Sequence, residues 1–170
     1  VEREFKWTVR EDGDGFRRLV PSPVPADIVE REEIRRLIET GTIVIAAGGG
    51  GTPVYRHPVL RLEGVDAVID KDRAAAVLAR SIDADVLLIL SNVEGVFTGW
   101  DTDKQELLRR LSVAEAEDLL SGDELGQGSM APKVEAAVSF VKAGGRKAMI
   151  ARLDQGLEAL NGEAGTTIQN

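Results

Sequence analysis

Short runs of consecutive apolar residues dominate the hydrophobic pattern of the chain. TIVIAA (residues 42–47) and DVLLIL (85–90) are continuous and rich in branched side chains, as is typical of parallel strands covered on both faces. KAMIA (147–151) and TTI (166–168) are two further strand-like runs. The chain is therefore predicted to contain several short strands, of which at least the first two are buried.

Segments with helical spacing separate these runs. A helix over residues 27–39, capped by Asp27 and ended by Gly41, carries an imperfect apolar stripe. A second helix is predicted over residues 71–82, with one apolar face. The residues of that face are Ala74, Val77, Leu78 and Ile82.

Two more helix starts follow in the second half of the chain. SVAE (112–115) has the spacing of a capping box, and Ser129 is a good N-cap for a longer helix. That helix would bury Val134, Ala137, Val138 and Val141. Strands alternating with helices predict the α/β class, with a mostly parallel sheet sandwiched by helices.

The first residues follow a different pattern. FKWTV (5–9) and FRRLV (16–20), joined by the turn-rich EDGDG, predict a β-hairpin. The proline-rich stretch at residues 20–25 fits neither a helix nor a central strand, so it marks a boundary. We expect residues 1–25 to form a small separate unit and residues 26–170 the main lobe.

Composition and charge narrow the classes of function. A net charge of -8 disfavours nucleic acid as a partner, and the absence of cysteine excludes thiolate sites and disulfides. The single histidine, His57, lies in a turn-like run and is expected to be a solvated loop residue. Since no apolar run is long enough for a membrane span or a signal peptide, we expect no membrane partner and a cytoplasmic protein.

A glycine-rich segment carries candidate phosphate chemistry. Four glycines in AAGGGGTP follow the first predicted strand, where side-chain-free peptides could point N–H groups at an anion. The alternative is an ordinary flexible turn. The four residues are Gly48, Gly49, Gly50 and Gly51.

Lysines also lie at two predicted helix starts. Lys71 lies between Asp70, a good cap, and Asp72, although a lysine at a helix N-terminus is disfavoured without an anionic partner. Lys133 follows the glycine-spaced GQGSMAP (126–132), where an ammonium and free N–H groups could together hold phosphate oxygens. The alternative for Lys133 is a surface lysine, and as an exposed first-turn residue it would contribute little to stability.

LSNVEGV (90–96) follows a buried strand and turns at Gly95. It falls, like the other segments, at the carboxyl ends of the predicted strands, where open α/β sheets bind ligands. Together these motifs make the chain similar to the carbamate kinases, which have the amino acid kinase fold. The resemblance rests on VPSPVPADIVE, IAAGGGGTPV, GVDAVIDKDRAAAVLA, DADVLLILSNVEGV and GSMAPKVEAAVSFV, over about residues 16–168.

The resemblance implies reversible, ATP-dependent phosphorylation of carbamate to carbamoyl phosphate during arginine breakdown, with Mg²⁺ carried by the nucleotide. Lys71 and Lys133 would neutralise the phosphate oxygens, and Asp72 would hold the lysines. Polyglycine residues 48–51 would face the phosphates or product. The residues implied to line the nucleotide are Ser91, Asn92, Val93, Gly95, Val96, Met130 and Arg152, the last replacing a more usual serine.

The resemblance also implies which part of the enzyme this chain represents. It corresponds to the C-terminal nucleotide-binding portion, while the loops that hold carbamate and a further lysine are expected upstream of Val1. Residues 1–25 would be a remnant of a protruding subdomain, and a homodimer is expected. The alternatives are a non-catalytic ATP- or ADP-binding half-kinase and a related kinase for an amino acid, uridylate or small phosphate.

Overall fold

The protein is described by a computed structural model that covers residues 7–122, 125 and 129–170. Its strands are β1 (Val9–Asp12), β2 (Gly15–Arg18), β3 (Val54–His57), β4 (Arg61–Gly64), β5 (Val86–Ser91), β6 (Val96–Thr98), β7 (Glu106–Leu108), β8 (Arg110–Ser112), β9 (Lys147–Arg152) and β10 (Thr166–Gln169). Its helices are α1 (Arg31–Glu39), α2 (Lys71–Ser81), α3 (Val113–Ser121), α4 (Met130–Lys142) and α5 (Gly156–Leu160).

A four-stranded sheet in the order β5, β9, β10, β8 organises the second half of the chain. β5 and β9 run parallel, and β10 runs parallel to β8. β10 pairs antiparallel with β9, with Ile168 opposite Ala148. Two of these three pairings are parallel, which confirms the predicted mixed α/β architecture with a mostly parallel sheet.

The two faces of this sheet are covered unequally. On one face Ala148 and Ile150 of β9 pack into the main hydrophobic core with α2, α3 and α4. On the other face Met149 and Ala151 pack against Ala159 of the short helix α5. Alternate residues of one strand therefore enter different clusters, as the two-residue period of a β-strand requires.

Several helix ends form as the sequence predicts. The Asp70 side chain accepts hydrogen bonds from Asp72 N and Arg73 N at 3.0 and 2.9 Å. Ser112 and Glu115 form the complete capping box at the start of α3. Because these caps satisfy N–H groups that the helix leaves unpaired, they fix where α2 and α3 begin.

Other helix predictions were wrong in detail. α1 begins at Arg31, and Asp27 does not cap it; its carboxylate instead accepts a hydrogen bond from Ile28 N at 2.9 Å. Ser129 is the N-cap of α4, but its side chain makes no capping hydrogen bond. The buried hydrophobic residues of α2 are its alanines, whereas Val77 and Leu78 are half-buried, because α2 packs closely against α4 through small side chains.

The prediction of a buried strand over residues 42–47 was wrong. Ile43 and Ile45 are 94% and 98% exposed, and no strand is assigned there. Strand geometry requires a neighbour that accepts and donates ladder hydrogen bonds, and within the described part of the chain none pairs with this run. DVLLIL does form β5, but at the edge of the sheet, which leaves Leu90 39% exposed.

The predicted N-terminal hairpin exists as the antiparallel pair β1 and β2, with Val9 opposite Arg18. Phe5 and Lys6, which the sequence placed in its first strand, lie outside the described residues. A second hairpin, β3 and β4, was not predicted. His57 ends β3 and is half-buried, and its Nδ1 accepts hydrogen bonds from Val59 N and Leu60 N at 3.2 and 3.0 Å, so it is a turn-forming residue.

Candidate functional site

The first turns of α2 and α4 bring two lysines to one carboxylate. Oδ2 of Asp72 accepts hydrogen bonds from Lys71 Nζ at 3.2 Å and from Lys133 Nζ at 3.1 Å. Lys133 Nζ also donates to Ser129 O at 3.3 Å. The two helix N-termini and the two ammonium groups thus place positive charge around a single buried anion.

Lys133 is not exposed, in contrast to the expectation for a first-turn lysine, so the alternative of a surface lysine is wrong. It is 4% exposed, and its partner Asp72 is 6% exposed. The helices α2 and α4, which carry these two residues, pack against each other. The expectation of little effect on stability was based on an exposed Lys133, and the burial of its pair with Asp72 now predicts a larger effect.

A second ion pair joins the same two helices. Arg73 Nη2 donates to Glu135 Oε2 at 2.8 Å, one residue further along α2 and two residues further along α4 than the first pair. Nε of Arg73 is buried and has no hydrogen-bond partner in the part of the chain that the structure describes. Sequence reasoning missed this pair because the spacing of 62 residues between its members gives no local pattern.

The polyglycine loop lies against the residue that leads into α2. A Cβ placed on Gly50 would meet the Ile69 carbonyl oxygen at 2.2 Å, and Gly50 has a φ of 132°, so only glycine fits there. Gly48 N and Gly50 N donate within the loop, to Ala46 O and Ala47 O. Among the described residues, the N–H groups of Gly49 and Gly51 have no acceptor, which leaves alternate peptides available.

A separate group of polar residues lies at the carboxyl ends of β5 and β9. Ser91 and Arg152 face each other in the sheet register, and Ser91 Oγ donates to Asn92 Oδ1 at 3.3 Å. Arg152 binds Asp154 through two nitrogens, at 2.6 and 3.1 Å. Glu94 lies 3.8 Å from Arg152 Nη1, so the loop after β5 and the loop after β9 are joined by charge.

The charges in this group shift one another. The hydrogen bond from Arg152 holds the pKa of the Asp154 carboxyl below its usual value. In return the same hydrogen bond, and then the nearby charge of Asp154, raises the pKa of Arg152. The guanidinium of Arg152 is thus directed toward Asp154 and Glu94.

The segment after β5 ends at a buried hydroxyl that the sequence gave no reason to single out. Val96 N donates to Thr166 Oγ1 at 2.8 Å, and Thr166 Oγ1 donates to Leu108 O at 2.6 Å. Gly95 is buried directly against this hydroxyl. Thr166 belongs to β10, about 70 residues further along the chain, so only the folded structure reveals the contact.

The remaining predicted residues have less distinctive surroundings. Val93 is half-buried between these polar residues, and Met130, the first residue of α4, packs at the edge of the main core. Gly126 and the rest of the glycine-spaced run (126–128) lie outside the described residues. Among the described residues, no hydrogen bond or ion pair joins the Lys71–Asp72–Lys133 group to the group at the end of β5.

The described residues lack two further features. Within residues 7–122, 125 and 129–170, no group of three or more His, Cys, Asp or Glu could hold a metal ion. In the same part of the chain, no helix has the length and apolar character needed to cross a membrane.

Comparison with known proteins places this arrangement in a family. The sequence profile of the amino acid kinase family matches residues 6–152. The chain belongs to that family. Its sequence is 50% identical to a carbamate kinase of Halobacterium salinarum over 170 residues, covering 98% of this chain and 55% of the relative.

Other amino acid kinases support the same placement. A carbamate kinase of Pyrococcus horikoshii is 48% identical, covering 99% of this chain and 54% of the relative. The structure of a carbamate kinase from Giardia lamblia bound to AMP-PNP superposes with a TM-score of 0.89 at 39% identity, covering 96% of this chain and 52% of that one. The chain thus spans about half the length of the curated relatives it matches.

Proposed function

We propose that this chain forms the nucleotide-binding part of a carbamate kinase, which transfers a phosphoryl group reversibly between ATP and carbamate. The observation that carries the proposal is the carboxylate of Asp72, which holds Lys71 and Lys133 at the N-termini of two helices. The amino acid kinase family and carbamate kinase relatives with 48–50% identity support the same assignment.

The two lysines have different surroundings, so we expect them to play different roles in phosphoryl transfer. Lys133 is buried and fixed by two oxygens, so it would provide a rigid positive charge for the phosphate. The side chain of Lys71 is 56% exposed, so it could leave Asp72 and follow the transferring group. Charge held in place before reaction stabilises charge that develops in the transition state, and this chemistry needs no nucleophilic side chain.

The polyglycine loop would contribute backbone donors to the same phosphates. The N–H groups of Gly49 and Gly51 are available for an anion, while Gly48 and Gly50 keep the loop in shape. The loop touches Ile69 two residues before Lys71, so backbone donors and ammonium groups would face the same ligand. This agrees with the expectation that residues 48–51 face the phosphates or the product.

The base and ribose of the nucleotide would lie at the carboxyl ends of β5 and β9, the edge at which open α/β sheets bind ligands. Asn92 is exposed there, and Arg152 is held in one orientation by Asp154. The residues proposed to line this part of the site are Ser91, Asn92, Val93, Gly95, Val96, Met130 and Arg152.

Mg²⁺ is proposed to enter with the nucleotide. The Asp72 carboxylate already neutralises two ammonium groups, so it is a poor ligand for a further cation. Phosphate oxygens would supply the metal's ligands, as is common for Mg²⁺. Bound in that way, the ion would neutralise charge on the phosphates, and Lys71 and Lys133 would add to that effect.

The proposal extends to features outside the nucleotide site itself. Carbamate would be held by the part of the relatives' length that this chain does not span. Residues 1–25 would belong to a protruding subdomain and residues 26–170 to the nucleotide-binding lobe. We also propose a cytoplasmic enzyme of arginine breakdown that forms homodimers.

A half-kinase that binds ATP or ADP without catalysis is the second candidate. The groups proposed to bind the nucleotide, Lys71, Lys133 and residues 91–96, all lie within this chain, and binding without turnover requires no others. An enzyme of this family would need carbamate-holding groups as well as the nucleotide site. The two candidates therefore differ in turnover but share nucleotide binding.

Calorimetric titration with ADP, followed by an assay for ATP formation from ADP and carbamoyl phosphate, tests both candidates. We expect ADP to bind and Lys133→Met to weaken binding by at least about tenfold through loss of a charge-assisted contact. Lys71→Met removes a mostly exposed side chain of the same site and should keep the fold. Weaker ADP binding by this variant would therefore not reflect misfolding. Lys142→Met at the other end of α4 is the matched control and should bind like the original chain.

The outcomes separate the candidates. Binding with ATP formation supports the carbamate kinase. Binding without turnover supports the nucleotide site that both candidates share and shows that this chain alone does not catalyse the transfer. If ADP did not bind the folded chain, or if both Lys71→Met and Lys133→Met bound ADP unchanged, the proposed nucleotide site would be wrong.

A further inference from the structure

We propose that Thr166 is a positioning residue for the nucleotide, because its hydroxyl fixes the far end of the segment that would contact the base and ribose. This inference rests on the proposed function of residues 91–96. Thr166 itself would not touch the nucleotide. It is 0% exposed and lies in β10, where its hydroxyl contacts the backbone at Val96.

The segment between β5 and β6 is held at both ends but by different means. At its start, Ser91 belongs to the β5–β9 ladder, and Ser91 O accepts from Leu153 N at 2.9 Å. At its end, β6 pairs only with β7 in the described part of the chain, and this two-stranded sheet is separate from the four-stranded one. The position of Val96 relative to the main sheet therefore depends on other contacts.

Thr166 supplies that contact. Its hydroxyl accepts from Val96 N at 2.8 Å and donates to Leu108 O at 2.6 Å. Val96 and Leu108 are opposite each other in the β6–β7 pair, so one hydroxyl binds both strands of the small sheet. Thr166 N and O belong to β10, whose register places Thr166 opposite Ile150. The side chain thus links the small sheet to the interior of the main one.

Gly95 shows how close this link is. A Cβ on Gly95 would lie 2.5 Å from Thr166 Oγ1, 3.0 Å from Leu107 Cδ1 and 3.1 Å from Thr166 N. Two of these three atoms belong to the fixed, buried Thr166, so the loop could accept a side chain at residue 95 only by moving away. Gly95, which the sequence predicted to turn the chain, is therefore also the residue whose missing side chain permits the contact with Thr166. We call this contact the anchor of the segment.

A hydroxyl is required at residue 166 for a specific chemical reason. It must accept one hydrogen bond and donate another at a buried point, which neither valine nor alanine can do. Threonine adds a restricted χ1 angle, since its Cβ is branched. Thr166→Val keeps the shape but removes the hydrogen bonds of the hydroxyl to Val96 N and Leu108 O, and we expect the end of the segment to shift.

The test compares Thr166→Val, Thr166→Ser and Ile168→Val, titrating each with ADP and with inorganic pyrophosphate. Ile168 is a matched control because it is buried in the same strand. We expect Thr166→Val to weaken ADP about tenfold and pyrophosphate less than twofold, since only the base side moves. Thr166→Ser, which keeps the hydroxyl, should stay within about threefold for ADP, and Ile168→Val within about twofold.

Gly95→Ala perturbs the same contact from the loop and guards against a Thr166→Val protein that fails to fold. It should likewise weaken ADP more than pyrophosphate. The proposal is overturned if Thr166→Val binds ADP normally, if ADP and pyrophosphate weaken equally, or if Thr166→Ser is as weak as Thr166→Val.

Hydrogen exchange at the Val96 amide separates this inference from the proposed function. If the original chain does not bind ADP, the nucleotide role of the segment fails. Faster Val96 exchange in Thr166→Val than in Ile168→Val would then still establish that Thr166 holds the segment, whereas equal exchange would exclude the anchor as well.

Discussion

Helices α1 and α4 end in the same way, yet they belong to regions that are packed very differently. At the end of α1, Gly41 N donates to Ile38 O and Thr42 N to Leu37 O. At the end of α4, Gly144 N donates to Val141 O and Gly145 N to Phe140 O. Both are Schellman motifs around a glycine with positive φ, 83° for Gly41 and 106° for Gly144.

The difference lies in what surrounds the two helices. α4 packs against α2, α3, β9 and β10 and buries Phe140 and Val141. α1 buries Ile34 alone, and Leu37 and Ile38 remain exposed. Within the described residues, the buried hydrophobic side chains before Lys71 are Ile34 and Ile69, whereas the core of residues 71–170 is extensive. In both regions the helix ends where the local sequence predicts, but among the described residues only the second region has an extensive hydrophobic core.

The largest expected difference between the two regions is in stability. Phe140 is 1% exposed, so Phe140→Ala should lower the free energy of unfolding by about 3–5 kcal/mol. Ile43→Ala, at a 94% exposed position, should change it by less than about 0.5 kcal/mol. Urea unfolding measures both. A large loss for Ile43→Ala would mean that residues 42–47 pack in solution and would remove the contrast.

A smaller effect is expected from the two lysines that share Asp72. Lys133→Met should cost about 3 kcal/mol, the lower end of the range for breaking a buried ion pair, because Lys71 still compensates Asp72. Lys71→Met should cost less than about 1 kcal/mol, since its side chain is mostly exposed. Urea unfolding measures the loss of unfolding free energy in both variants. Equal losses would show that burial does not distinguish the two ion pairs.

Gly41 and Gly144, which end α1 and α4 in the same motif, give the most direct test of the comparison between the two regions. An alanine at positive φ costs about 1–2 kcal/mol, and neither glycine has a neighbour within 4 Å that would add a clash. Gly144→Ala should therefore lower the global free energy of unfolding by that amount. Gly41→Ala should reduce amide protection in α1 alone, as measured by hydrogen exchange. A global loss for Gly41→Ala would show that α1 unfolds together with the core.

The smallest expected effect is a pH dependence confined to the loop after β9. The pKa of Asp154 is lowered in the folded state, mainly by its hydrogen bond from Arg152, so this contact stabilises the loop above the ordinary pKa of aspartate. The contribution is lost as the pH falls through the lowered value. NMR titration should give a low midpoint that rises in Arg152→Ala and stays low in Glu94→Gln. An ordinary midpoint in the original chain would contradict the contact.

The features that the sequence predicted well depend on neighbours along the chain. Asp70, Ser112 with Glu115, and Gly41 act within one helical turn, so their residue types suffice to predict them. The absence of a strand at residues 42–47 could not be predicted in the same way, because a strand forms only beside another strand. The composition of this run suits burial, but composition does not supply the neighbour.

The features of the candidate site also fall into local ones, which the sequence predicts, and long-range ones, which it does not. The lysines and glycines were predictable as types, because phosphate chemistry favours them at helix starts and in loops. The burial of Lys133, the Arg73–Glu135 pair and the Thr166 hydroxyl were not, since each depends on contacts across about 60–70 residues. Charged side chains are ordinarily exposed, so sequence reasoning assigned Lys133 to the surface.

The position of β10 sets the order in which this protein can be assembled during synthesis. β10 follows the other strands of its sheet in the sequence, yet it lies between β9 and β8. A ribosome making this chain would release both β8 and β9 before the strand that lies between them exists. The emerging chain would have to keep its apolar side chains from aggregating until residue 169 leaves the exit tunnel. Translation speed and chaperone access near that point should therefore influence the yield of folded protein more than they do earlier in the chain.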